Sequence, residues 1–189
     1  MKSLEKKNEN LINENKHLET KIMALEQRFN ETEQKNLSNK IEVAGVPYKQ
    51  EENLQLITKN IATKLNVDSS TIKSVKRIKG KGENTEGILH IEMKEECDAT
   101  SWTQTARTAN LVVSDVLPTY TGEESKSRIY VRRALTPYNK TLLYQAKKEL
   151  KEAYKFIWCN YEGKILARKS ENSKILSIRF QDDIKNLLK

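Results

Sequence analysis

The chain is poor in the residues that staple, punctuate or catalyse: two cysteines, two histidines, three prolines and six glycines in 189 residues. Cys97 and Cys159 cannot build a disulfide framework, so a small secreted fold held by bridges is excluded. His17 and His90 lie far from both cysteines in sequence, and no metal site is expected. No apolar run approaches the ~18–20 residues that a bilayer span needs. The opening Met1-Lys2-Ser3-Leu4-Glu5-Lys6-Lys7 turns polar at once, so neither membrane insertion nor a signal peptide is expected. A phosphate-cradling GxxxxGKS/T loop, a GxSxG elbow and a close Cys/His or His/carboxylate constellation are all lacking, and the chain reads as a non-enzyme without cofactor. The pair Asp182-Asp183 reads as a helix cap rather than an acid/base pair.

Charge is abundant, at 32% of residues with a formal net of +8, and it is segregated. Residues 1–36 carry 7 basic and 7 acidic side chains, residues 37–125 carry 11 and 13, and residues 126–189 carry 16 and 6. All the surplus positive charge therefore sits in the last third, as expected of a surface aimed at polyanions.

Leu4, Leu11, Leu18 and Leu25 recur every seven residues in a stretch free of Gly and Pro. With these at position d of a heptad, Asn8, Asn15, Ile22, Phe29 and Asn36 fall at a. Such a pattern predicts a coiled coil over 1–36, roughly 50 Å long, that self-associates to cover its leucine stripe. Asn8 and Asn15 would fix its register, while Arg28 at g and Glu33 at e can bridge neighbouring parallel helices. A single amphipathic helix folded back on the body is the other reading.

Residues 37–117 read as βαββαβ: a strand near 40–46, a helix over 51–66, strands at 72–79 and 88–93, a helix at 98–108 and a fourth strand at Leu111-Val112-Val113. Residues 80–87, between the second and third strands, read as an exposed loop. That order is the ferredoxin-like plan of RNA-recognition motifs, giving an α+β fold class. Alternation would leave Glu42, Ala44, Ile88, His90 and Glu92 on the open face, with no aromatic for base stacking and His90 a solvated strand residue.

Residues 118–127 are turn-rich and read as a hinge, followed by a basic α/β domain over 128–189. There Arg128–Arg133 reads as a strand, and Thr136 and Pro137 sit at the N-cap and first turn of a helix. A hairpin follows, with strands at 156–159 and 164–169, then a strand at 174–180 and a closing helix.

The string Arg128-Ile129-Tyr130-Val131, Leu135-Thr136-Pro137, Asn139-Lys140, Leu143, Ala146-Lys147, Phe156-Ile157-Trp158 and Gly163 to Lys169 resembles the C-terminal domain of the baculovirus few-polyhedra (FP) protein family. Ile41 to Pro47, Glu52-Asn53-Leu54, Arg77-Ile78, Trp102 and Arg107 extend the likeness through the middle segment. Insect retroelement proteins share the domain, and the layout is similar to the nucleic-acid-binding protein of the first reading frame of LINE-type retrotransposons. The resemblance implies an oligomeric coiled coil, a degenerate RNA-recognition fold and a basic C-terminal domain. In the retrotransposon relatives the oligomer is a trimer whose last two domains clamp single-stranded nucleic acid. Arg28 to Glu33 approximates the trimer-associated pattern, from which Thr32 departs, so trimer is preferred over dimer. Arg132-Arg133 stands where family members often have Asn-Glu.

The functional expectation is a sequence-tolerant single-stranded RNA or DNA binder, chaperone-like, of a virus or retroelement, acting in the cytoplasm or nucleus of a host cell. Arg128, Arg132, Arg133, Lys140, Lys147 and Lys148 are the phosphate-binding candidates, with Lys164, Arg168 and Lys169 on the hairpin. Arg77, Lys79 and Arg107 would extend the path between domains. Tyr130, Tyr138, Trp158 and Tyr161 are the candidate stacking aromatics; of these Tyr161, in a turn, is the better exposed, whereas Trp158 reads as core. Self-association falls to Leu4, Leu11, Asn15, Leu18, Ile22, Leu25, Arg28, Phe29 and Glu33. The alternative is a coiled-coil scaffold for viral structural proteins, which the FP resemblance ties to virion maturation and envelope-protein traffic.

Overall fold

The computed structural model describes residues 2–78 and 87–188. Its architecture is α+β: one long N-terminal helix, then two antiparallel sheets with their helices. The chain divides into two compact units. One comprises Asn36–Leu135 with the turn Asn160–Gly163; the other comprises the N-terminal helix with Thr136–Cys159 and the chain from Lys164 onward.

The central unit contains β1 (Lys40–Ala44), α2 (Leu54–Leu65), β2 (Ile72–Ile78), β3 (Ile88–Met93), α3 (Glu96–Thr108), α4 (Val113–Val116) and β4 (Tyr130–Arg133). Its four strands run in the order β2-β3-β1-β4, each antiparallel to its neighbour. Alternation sends Ile41, Val43, Leu89, Ile91 and Met93 to one face, where they meet Ile57, Ile61 and Leu65 of α2 and Trp102 of α3. Burying each such side chain contributes roughly 1.5–3 kcal/mol, so this layer holds the unit together. Helix α2 starts where Asn53 Oδ1 accepts the Leu56 N–H at 2.9 Å, and ends at Asn66 in the left-handed region.

Two expectations fail here. Leu111-Val112-Val113 is not the fourth strand: Val112 makes only an isolated bridge to Arg128, and Val113 opens α4. Asp115 accepts the Val112 N–H at 3.0 Å and so draws the chain into a helical turn, while Leu111, Val113 and Val116 are buried in the core. The free edge of β1 is instead filled by β4, which was expected to open the basic domain; Glu42 pairs with Arg132 and Ala44 with Tyr130. Gly45 lets the returning chain come this close. Its φ is +84°, and a β-carbon there would lie 2.6 Å from the Arg128 carbonyl oxygen.

The second correction concerns residues 118–127. They form a loop inside the central unit rather than a hinge beyond it: Val113 N donates to Ser127 O at 3.0 Å, Ile129 N to Leu111 O at 2.9 Å, and Tyr120 packs on the core. Their polar, turn-rich composition marks a loop but does not say what the loop joins. The loop expected over residues 80–87 lies, up to residue 86, outside the described residues.

The other unit begins with α1 (Lys2–Lys35), 34 residues without Gly or Pro. After it come α5 (Pro137–Leu150), β5 (Phe156–Cys159), β6 (Ile165–Arg168), β7 (Leu176–Ile178) and α6 (Gln181–Leu187). Thr136 Oγ1 accepts the Asn139 N–H at 3.2 Å with Pro137 in the first turn, as the sequence predicts. Neither Asp182 nor Asp183 is the cap residue of α6, which is Phe180; Asp183 stands in the first turn and reaches back to accept the N–H groups of Arg179 and Phe180 at 2.7 and 3.0 Å. Leu142, Ala146 and Leu150 of α5 and Ile184 of α6 pack on Ile165, Ala167 and Ile178 of the sheet, ordered β5-β6-β7.

Candidate nucleic-acid interface

One face of the three-stranded sheet is occupied by α5 and α6; strand alternation then decides what the other face carries. Ile157 pairs with Ala167 and Cys159 with Ile165, on the helix side. Phe156 opposite Arg168, and Trp158 opposite Leu166, consequently point away from the helices. Ser177, paired with Leu166, completes that row, and the same parity places Lys164 there. The Arg168 guanidinium lies 5.0 Å and the Lys155 ammonium 5.2 Å from the Phe156 ring centre, and the Lys169 ammonium lies 5.4 Å from that of Tyr154. Each is a cation–π contact that keeps the charge beside an aromatic face without neutralising it. Lys155 also pairs with Glu171 at 2.9 Å, with both side chains exposed.

Trp158 is half-buried on this face and not in the core, contrary to the sequence expectation. The signal was present: Trp158 shares parity with Phe156, while Ile157 and Cys159 take the other side. Burial pushes the Cys159 thiol up to about 11, against the opposing pull of the Lys147 charge. Tyr161, in the turn between β5 and β6, is 61% exposed.

The remaining cations of this unit lie elsewhere. Lys147 and Lys148 are exposed on α5, and Lys140 is half-buried there. Helix α5 covers the core side of the sheet, so these lysines belong to the helical layer and Lys164 and Arg168 to the opposite face. The candidate cations of this unit thus divide between its helical layer and the opposite sheet face, while Arg128, Arg132 and Arg133 belong to the central unit.

In the central unit, two arginines expected to contact phosphate are structural. Arg77 is 6% exposed; its Nε and Nη2 each approach Glu52 at 2.5 Å, and Nη1 donates to Val46 O at 2.9 Å. Arg133 is buried and donates to Ser38 O and Thr100 Oγ1. Desolvation lowers its pKa, partly offset by Glu96. Arg107, Arg128 and Arg132 are exposed, and Lys79 lies outside the described residues.

On the sheet face away from the helices, Glu42 is fully buried, with His90 Nε2 at 3.1 Å and Arg132 Nε at 3.3 Å. His90 Nε2 therefore lies within hydrogen-bonding distance of a buried carboxylate oxygen, where a solvated strand residue was expected. An aromatic is present here after all: Tyr130, 55% exposed, with the Arg128 guanidinium 5.4 Å from its ring centre. Tyr130 is a stacking candidate from the sequence, expected in the basic C-terminal domain; the pairing of β4 with β1 brings it into this sheet instead.

Along α1 the candidate seam residues are exposed, from Leu18 at 53% to Leu4 at 71%, with Phe29 at 63%; Asn15, Arg28 and Glu33 are exposed as well. Among the described residues of this helix, Gln27, Asn30 and Gln34 are the ones that lose exposure. Gln34 Oε1 accepts from Thr136 N at 3.2 Å and Asn139 Nδ2 at 3.0 Å, which ties the end of α1 to the start of α5.

These features define an α+β chain with a long apolar-striped helix and an aromatic, cation-flanked sheet face. No helix among the described residues is long and apolar enough to cross a membrane. The chain belongs to the baculovirus FP protein family: residues 38–131 match the model of baculovirus FP protein domain 1, and residues 136–188 that of baculovirus FP protein domain 2. That membership makes it a protein of a viral family. A comparison with curated proteins finds no match.

Proposed function

We propose that this chain is an oligomeric, sequence-tolerant single-stranded nucleic-acid-binding protein of a virus or retroelement, with chaperone-like action. The observation that carries the reading is the sheet face on which Phe156 and Trp158 stand beside Arg168, Lys155 and Lys164. Aromatics interleaved with cations suit a single strand, whose bases stack on any flat ring and whose phosphates need neutralising. Tyr130 with Arg128 and Arg132 offers a smaller surface of the same chemistry in the central unit. The strand order β2-β3-β1-β4 supports reading that unit as RRM-like, with β4 supplied from residues 130–133. Self-association through α1 would raise avidity by about 10²–10⁴ where several units reach one strand.

Fluorescence anisotropy with a single-stranded oligonucleotide of ~30 nucleotides, titrated at several salt concentrations, tests the reading. Binding should weaken steeply with salt, with a slope near −0.7 per phosphate neutralised. Absence of salt-sensitive binding rejects it, and leaves a protein-scaffold role as the surviving alternative.

A further inference from the structure

Strand β2 ends the central sheet on one side, and no described strand pairs with its outer edge. The register slips between Ile72 and Ser74, which blunts the start of that edge, but Ser74–Ile78 pairs regularly with β3. The outward N–H and C=O groups of this stretch form a template for one more strand. Beside them, between β2 and α2, lies a cavity of about 260 Å³. Gln55, Thr58 and Lys59 line it from the helix, and Ile72, Lys73 and Val75 line it from the strand. Ile72 and Val75 pack against the core and give it an apolar floor.

Charge selects the occupant. The charged groups in the lining are Lys59 and Lys73, with no carboxylate and no aromatic ring among the residues around them. Lys73 already shares Glu92 of β3 at 2.8 Å. Lys59 is exposed, as is Lys76, which stands opposite His90 on the other face of β2. Neither has a carboxylate partner among the described residues. A second copy of the same edge would be repelled, because β2 carries Lys73, Lys76 and Arg77 and no acidic residue. A single nucleic-acid strand finds no ring in the lining on which to stack a base. An extended acidic peptide meets each requirement. Its backbone continues the ladder, and its successive side chains point to opposite faces. Two adjacent glutamates would thus reach Lys59 through the cavity and Lys76 on the open face.

We propose that the outer edge of β2 docks an extended, acidic segment of a partner protein, which adds a fifth strand to the central sheet. The site stands apart from Tyr130 on β4, at the other edge of the sheet, and does not depend on nucleic-acid binding. A fluorescein-labelled peptide, Thr-Val-Glu-Glu-Val-Thr, titrated against the full chain by anisotropy tests it. The control is the same peptide with lysine at both glutamate positions. The acidic peptide should bind saturably and the control should not, and binding should slow amide hydrogen exchange within residues 72–78. Lys59→Glu with Lys76→Glu, two changes at exposed positions, should weaken binding about tenfold as modest ion pairs become repulsive. Excess oligo(dT) should not displace the peptide. The proposal falls if there is no saturable binding at millimolar peptide, if the control binds equally, or if the double variant binds undiminished. Unchanged exchange in β2 also overturns it, because charge attraction without strand addition would leave those amides as they were. Displacement by oligo(dT) overturns it too, and reassigns the two lysines to phosphate.

Discussion

The two units hold most of their cations differently, although Arg128 of the central unit also lies over a ring, that of Tyr130. In the central unit Arg77 and Arg133 are buried against carboxylate, carbonyl and hydroxyl partners, and Arg132 is paired with a carboxylate that has no exposure at all. In the C-terminal unit Arg168, Lys155 and Lys169 lie over aromatic rings. The difference teaches that a cation counted in a sequence is not a cation available to a ligand. Glu52 and Glu42 claim theirs first, and removing Glu52 would leave the buried Arg77 charge at its full desolvation cost.

The largest effect that sharpens this contrast is on stability. Glu52→Ala strands Arg77 and should cost about 3–5 kcal/mol, read as a lowered midpoint in urea, with nucleic-acid affinity of the remaining folded protein unchanged. Trp158→Ala should do the reverse, costing about 1–3 kcal/mol of binding per stacked base by anisotropy. A larger loss of folding than of affinity would return Trp158 to the core. Third, Lys155→Glu with Arg168→Glu should flatten the salt slope by about 0.7 for each phosphate no longer neutralised, whereas Lys147→Glu with Lys148→Glu should change it less. Equal effects would erase the division between sheet face and helical layer.

The smallest effect is on pH. Burial alone would raise the Asp115 pKa, but hydrogen bonds from Lys64 at 2.7 Å and Val112 at 3.0 Å, with the Lys64 charge, outweigh it and hold the carboxyl below its ordinary value. Its contribution is therefore complete above the ordinary carboxylate range and lost as pH falls through the lowered folded value. Asp115→Asn should flatten the acid end of the stability profile by a few tenths of a kcal/mol, in keeping with an ion pair whose lysine is exposed. Urea midpoints taken at descending pH measure it.

What was legible in the sequence was local. Thr136 and Pro137 announce α5, the heptad announces α1, and the Asn160–Gly163 turn announces the β5–β6 hairpin, because each signal lies within a few residues of the element it makes. The fourth strand of the central sheet was not legible, since Tyr130–Arg133 pairs with residues about ninety positions earlier and nothing near it states which edge is vacant. For the same reason Tyr130 was credited to the wrong unit, and Arg77, whose partner Glu52 belongs to another segment, passed for a surface cation. The aromatic face of β5 was readable in principle from the parity of Phe156 and Trp158, but the general tendency of tryptophan toward cores outweighed that two-residue pattern.

Gly45 shows how much of this layout hangs on a missing methyl group. The backbone of residue 128 passes through the volume that any other side chain at position 45 would fill. Alanine, the mildest replacement on paper, would wedge the last strand away from its neighbour and unseat the tyrosine and two arginines it carries. A site made largely of long, bulky side chains is thus kept in place by the smallest residue available.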